Sequence, residues 1–143
     1  MFYGIVASVV LLDQLTKFLA LTFLASQDTF PVIPGALYFS LVHNTGIAFG
    51  LLREHESILL ALITLSLLFL SFWGARLKNS IPAVRWGFAL ILGGAIGNWI
   101  DRLRFGAVID FIDLRVWPVF NVADSAITIG VGIYLIFLVR EKT

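Results

Sequence analysis

The chain has 143 residues, 59% of them hydrophobic, with a formal net charge of +1 and a mean hydropathy of +0.97. That is far more apolar than a soluble domain of this length and predicts a small polytopic membrane protein with no separate soluble domain. The near-neutral charge and the lack of a basic cluster exclude a nucleic-acid binder, and the absence of cysteine excludes a thiol nucleophile, a disulfide framework and a thiolate metal site.

Crossing about 30 Å of hydrocarbon takes roughly 20 apolar residues. Four segments reach that length, at about 2–25, 57–77, 83–103 and 122–139. The first is expected to remain as a helix. It has no basic leader, and Asp13, Gln14 and Lys17 interrupt its apolar run, unlike a cleavable signal peptide. Asp13 and Lys17 stand four residues apart and can pair on one helix face. The structural reading is a neutralised pair facing the bundle, and the spacing gives no specific support for a direct chemical role.

Residues 26–56 differ in character. They contain Pro31, Pro34, Gly35, Gly46 and Gly50, and the strand-forming run Leu37-Tyr38-Phe39-Ser40-Leu41-Val42. A short hairpin or small sheet on the membrane surface is expected here. The second span carries no charge before Arg76. The third span holds Gly93, Gly94, Gly97, Asn98, Asp101 and Arg102, with Gly94, Asn98, Asp101 and Arg102 on one helical face. Small residues there let helices approach closely, and polar ones bond across the interface. Asn98 and Arg102 together offer an amide and a planar donor fork suited to a peptide backbone or to carboxylate oxygens. A packing seam remains the structural alternative.

The last connection, 104–121, is apolar with acids and arginines mixed in. Asp110 lies within Val108-Ile109-Asp110-Phe111-Ile112-Asp113, and Asp124 within Phe120-Asn121-Val122-Ala123-Asp124-Ser125-Ala126. A carboxylate at the bilayer centre costs about 2.5–3.5 kcal/mol. Asn121 can cap the fourth helix with Asp124 as the third residue of a capping box, and the helix dipole there favours an ionised acid. If Asp110 stands beside it, one carboxyl of the pair is pushed toward its protonated form, which is the asymmetry a water-activating dyad needs. Arg76, Lys78 and Arg85 flank the second connection and Arg140 and Lys142 follow the last span, against Arg53, Arg104 and Arg115 on the other side. The bias places both termini in the cytoplasm and both aspartates near the outer face. His43 and His55 have no metal-ligand spacing, and neither a zinc-peptidase helix motif nor a serine nucleophile elbow occurs.

Five blocks occur in order: Asp13-Gln14-Leu15-Thr16-Lys17; Asn44-Thr45-Gly46-Ile47-Ala48-Phe49; Gly94-Ala95-Ile96-Gly97-Asn98-Trp99-Ile100-Asp101-Arg102; Val108-Ile109-Asp110-Phe111; and Phe120-Asn121-Val122-Ala123-Asp124-Ser125-Ala126. Together they resemble the bacterial lipoprotein signal peptidases (signal peptidase II), over nearly the whole chain. The resemblance implies an all-α membrane protein of one domain, with four transmembrane helices and a small extracytoplasmic sheet between helices one and two. It implies an aspartic endopeptidase of the bacterial inner membrane, cutting diacylglyceryl-modified prolipoproteins just before the lipidated cysteine. The catalytic pair carries over onto Asp110 and Asp124, and supporting polar roles onto Asn44, Asn98, Arg102 and Asn121. Asp13, Lys17, Gly94, Gly97 and Asp101 match positions with a structural role. No metal or other cofactor is expected, and the partners are the lipidated substrate and membrane lipids, with no nucleic acid and a monomeric state. The loops are short for the family, as is the gap between Asp110 and Asp124. Asp113 is not expected to be catalytic.

Two rival classes fit an apolar chain with embedded acids. A proton-coupled transporter would carry acids near mid-bilayer on several helices. A non-enzymatic membrane assembly factor would tolerate Asp110→Asn and Asp124→Asn.

Overall fold

A computed structural model describes residues 1–27, 29–45, 56–77 and 80–141. The Gly46-Ile47-Ala48-Phe49 half of the second motif, Gly50, Arg53, His55, Lys78 and Lys142 lie outside the described residues. In chain order the elements are α1 (Phe2–Phe23), β1 (Thr29–Ile33), β2 (Leu37–Asn44), α2 (Glu56–Arg76), α3 (Pro82–Phe105), β3 (Val108–Asp113) and α4 (Val122–Glu141).

The protein is a membrane protein. Helices α1, α3 and α4 are long and apolar enough to cross a bilayer, and α2 has a shorter apolar stretch at Leu60–Arg76. Hydroxyl side chains within these helices return to their own backbone. Ser8, Thr22, Thr64 and Ser66 each donate to the carbonyl four residues earlier, at 2.7–2.9 Å. Such bonds satisfy polar groups that lipid cannot. Large apolar side chains such as Leu11, Phe18, Leu65 and Val139 lie exposed along the helix flanks, as expected of surfaces that meet lipid rather than water.

Helix α3 is the central post, and its glycines explain how the others reach it. A Cβ on Gly93 would meet Val9 at 2.8 Å, and one on Gly97 would meet the Asp13 carboxylate at 2.5 Å, both on α1. On the other side, a Cβ on Gly87 would meet the Gly130 carbonyl at 2.9 Å, and one on Gly94 would strike the Ala123 carbonyl, both on α4. Two glycine rows thus let α1 and α4 close onto one helix. The apolar core between α1, α2 and α3 is built on Val6, Leu67, Ala89 and Leu92. Trp99 donates its indole N–H to Thr64 at 3.0 Å and fastens α2 to α3.

The three strands form one antiparallel sheet in the order β1-β2-β3. The expected hairpin is β1-β2. The third strand was not expected, and it comes from the connection after α3 rather than from the segment between α1 and α2. Val108–Asp113 is buried on both faces except for half-buried Ile112, so it lacks the alternation that reveals a half-exposed strand. Gly106 stops α3 in the left-handed conformation, φ +67°, its N–H bonded to the Arg102 carbonyl at 3.0 Å. The chain then runs along β2 and doubles back. Phe120 exchanges backbone bonds with Ile112 at 2.8 and 3.0 Å, delivering the chain to the start of α4.

Candidate active site

The reversal at Phe120 brings β3 against the first turn of α4. Asp110 sits on β3, 1% exposed, and Asp124 is partly buried on α4. One amide reaches toward both. Asn121 donates from Nδ2 to Asp110 Oδ1 at 2.7 Å, and its Oδ1 accepts the Asp124 backbone N–H at 2.9 Å. Asp124 Oδ2 returns a contact to the Asn121 N–H at 3.4 Å. This reciprocal pattern is a capping box, so the cap and the pairing of acids use the same residues.

The second oxygen of Asp110 accepts Asn44 Nδ2 at 2.8 Å. Register explains this contact. Val42 lies opposite Asp110 and Asn44 opposite Val108, so Asn44 is a diagonal neighbour on the same face. Asp113, an odd number of residues further on, belongs to the other face. It accepts Ser40 Oγ at 2.9 Å and the Arg115 N–H at 2.8 Å, and so holds the turn in which Arg115 adopts φ +64° with its guanidinium over Tyr38. These bonds, the Arg115 amide foremost, hold the Asp113 carboxyl below its usual range.

From α3, Asn98 donates Nδ2 to Asp124 Oδ1 at 2.8 Å, while its Oδ1 accepts Lys17 Nζ at 2.9 Å and Asn121 Nδ2 at 3.1 Å. Arg102, one turn on, was expected to frame the acids alongside Asn98. Its Nη1 donates instead to the Asn98 carbonyl at 3.2 Å, and its charge lies within electrostatic reach of Asp124, Asp101 and Asp110. Beneath this layer Lys17 is buried between Asp13 at 2.8 Å and Asp101 at 2.7 Å. The expected Asp13–Lys17 pair is present, and Asp101 makes it a triad. Asp13 also accepts the Ala123 N–H at 2.9 Å, and Asp101 the Ile109 N–H at 3.0 Å. Gln14, read only as a helix-one polar residue, donates to Asp101 at 2.9 Å. Its place three residues before Lys17 on the polar stripe was the available signal.

Burial is the main influence raising the Asp110 carboxyl above its ordinary value. The Asp124 charge adds to it, and the Asn44 and Asn121 donors and the more distant Lys17 charge oppose it. A buried acid held toward its neutral form beside a second acid, with directed amide donors on both, can share one proton and orient a water. A groove of about 460 Å³ opens beside Asp124, lined by apolar Leu114, Trp117, Phe120 and Ile129 together with the polar Ser125 and Thr128.

Comparison with known proteins agrees on one family. The model of signal peptidase (SPase) II matches residues 5–140. A lipoprotein signal peptidase of Moorella thermoacetica is 44% identical over 123 residues, covering 86% of this chain and 82% of its own. One from Halothermothrix orenii is 36% identical over 144 residues, 99% of this chain and 97% of its own. A solved structure described as a bacterial membrane enzyme at 1.9 Å resolution superposes with a TM-score of 0.85 at 34% identity, over 96% of this chain and 91% of that one.

Proposed function

This chain belongs to the signal peptidase II family of peptidases, and on that premise we propose that it is an aspartic endopeptidase that removes the signal peptide from diacylglyceryl-modified prolipoproteins, cutting before the lipidated cysteine. The observation that carries the mechanism is the Asn121 side chain, bonded to Asp110 on one side and to the Asp124 backbone on the other. It ties Asp110 to the turn that carries Asp124, which itself lines a groove beside Trp117 and Phe120.

Asp124, at the dipole-favoured first turn of α4, acts as base. It takes a proton from a water whose oxygen bonds to the scissile carbonyl carbon. Asp110, kept toward its protonated form by burial, donates to the carbonyl oxygen. The tetrahedral diol then collapses with cleavage of the C–N bond: the proton held by Asp124 passes to the leaving amine, and Asp110 takes back a hydroxyl proton as the new carboxyl forms, which restores the starting pair. Asn44 and Asn121 orient Asp110, Asn98 orients Asp124, and Arg102 supports the site through its charge. The acyl chains lie in lipid before and after binding, so their role is to set depth and register.

As a working arrangement, all four helices span a bacterial inner membrane as one domain. Both termini face the cytoplasm, the sheet and dyad lie near the outer face, and the chain works as a monomer. Against a proton-coupled transporter stands the saturation of the mid-helix charges. Lys17 is shared by Asp13, Asp101 and Asn98, which leaves that cluster no free carrier.

The test is cleavage of a lipidated prolipoprotein by purified enzyme in detergent. Asp110→Asn and Asp124→Asn should each abolish measurable turnover while the proteins elute as the wild type does. Retained turnover in either sinks the dyad. EDTA should leave the wild-type rate unchanged.

A further inference from the structure

Lys17 lies outside the chemistry proposed above, yet all three of its N–H donors are committed. They go to Asp13 at 2.8 Å, Asp101 at 2.7 Å and Asn98 at 2.9 Å. Each acceptor leads to a different part of the dyad. Asp13 holds the backbone N–H of Ala123, the residue before Asp124. Asp101 holds the N–H of Ile109, the residue before Asp110. Asn98 holds the Asp124 carboxylate itself.

An ammonium has donors and no acceptor. The Asn98 atom facing Lys17 must therefore be the amide oxygen, and the Asn98 NH₂ must face Asp124. The same oxygen draws an N–H from Asn121 at 3.1 Å. That turns the Asn121 oxygen to the Asp124 N–H and its NH₂ to Asp110. One charge thus sets the polarity of both amides.

We propose that Lys17 is a positioning residue that fixes the spacing of Asp110 and Asp124 through Asp13 and Asp101, and the direction of their side-chain hydrogen bonds through Asn98. A charge serving stability alone needs one acid partner, and Asp13 on the same helix supplies it. The two further prongs end beside Asp110 and on Asp124. This inference rests on the peptidase reading and deepens it.

The experiment compares wild type with Lys17→Met and Lys17→Arg, using full-length chains in detergent and a diacylglyceryl-modified prolipoprotein as substrate. Rates are expressed per amount of monodisperse folded protein. Misplacing reacting groups by about 1 Å costs on the order of 10²-fold in rate. Lys17→Met should lose about that much in kcat with KM within threefold, the pattern of an interaction used in the transition state. Lys17→Arg, which keeps a charge with several donors, should recover part of the loss. Asp13→Asn and Asp101→Asn each disturb one prong, and they carry the test if Lys17→Met does not fold. Each should lower kcat about tenfold or more at constant KM. Wild-type kcat in folded Lys17→Met, in both Asn variants, or a loss confined to KM, overturns the proposal. A wild-type chain that leaves the substrate uncut overturns the peptidase reading instead.

Discussion

Gly97→Ala adds a single methyl group, and the structure states what it meets. The new Cβ would stand 2.5 Å from Asp13 Oδ2 and 3.0 Å from its Cγ, where ordinary contact begins at 3.4 Å. The deficit at the oxygen is 3.4 − 2.5 = 0.9 Å. A surface side chain would swing away from this contact. Asp13 is fully buried, and its carboxylate is held by Lys17 and the Ala123 N–H, so the strain passes to α1 or to the start of α4. Alanine in place of glycine gains about 1 kcal/mol of helix propensity, against an overpacking cost of about 1–3 kcal/mol. The net destabilisation is then at most about 2 kcal/mol, a few degrees in melting temperature at this size. The effect on rate is larger. A displacement approaching 1 Å passed to the residue before Asp124 costs on the order of 10²-fold in turnover. The assay is steady-state cleavage of a lipidated prolipoprotein, with melting followed in the same detergent. Gly132→Ala, whose Cβ meets nothing within 4 Å, is the control. If Gly97→Ala turns over within twofold of that control, the tight seating of Asp13 does not govern the site.

Two more outcomes follow from Asp110. Asn44→Ala removes its 2.8 Å donor from the sheet. A hydrogen bond to a neutral group is worth about 0.5–1.5 kcal/mol, and the burial of Asp110 puts the effect near the high end although Asn44 itself is exposed. A loss of about tenfold in kcat is expected, and an unchanged kcat refutes a role for this contact. The raised Asp110 carboxyl predicts a pH effect. A group whose folded-state value is raised contributes stability that is full below its unfolded value, about pH 4, and is lost as pH rises through the folded value. Turnover should fall over the same rise as the proton needed by the carbonyl oxygen is lost. Melting temperature followed upward from about pH 4 should therefore fall in the wild type, relative to Asp110→Asn, which cannot ionise. Parallel melting curves refute the assignment.

The helices were legible because lipid demands long apolar runs, and α2 announced itself by the uncharged run from Ser57 to Ala75. The cap at Asn121 and Asp124 was legible because its two halves are three residues apart in sequence. β3 was not, since its buried faces hide the strand period. With it went the register that seats Asn44 beside Asp110 and sends Asp113 to the opposite face. The enlargement of the Asp13–Lys17 pair by Asp101 escaped for another reason: the residues are 84 positions apart (101 − 17), and periodicity within one helix says nothing about distant partners. Arg102 shows the limit of a face argument. It shares a helix side with Asn98, but its guanidinium turns back to the Asn98 carbonyl.

The Asp13–Lys17 pair has a meaning for how the chain is made. A helix entering the membrane early does so before later segments exist to receive its charges. Because acid and base here stand one turn apart on α1, at 2.8 Å, that helix carries its own counter-ion across the translocation step. It offsets part of a cost of about 2.5–3.5 kcal/mol per buried charge. Asp101 and Asn98 on α3 and the Ala123 N–H on α4 reach the pair only when those helices follow. The cluster is therefore completed by the last span, and a chain that stops before α4 lacks Asp124 as well as the Ala123 N–H that closes the cluster.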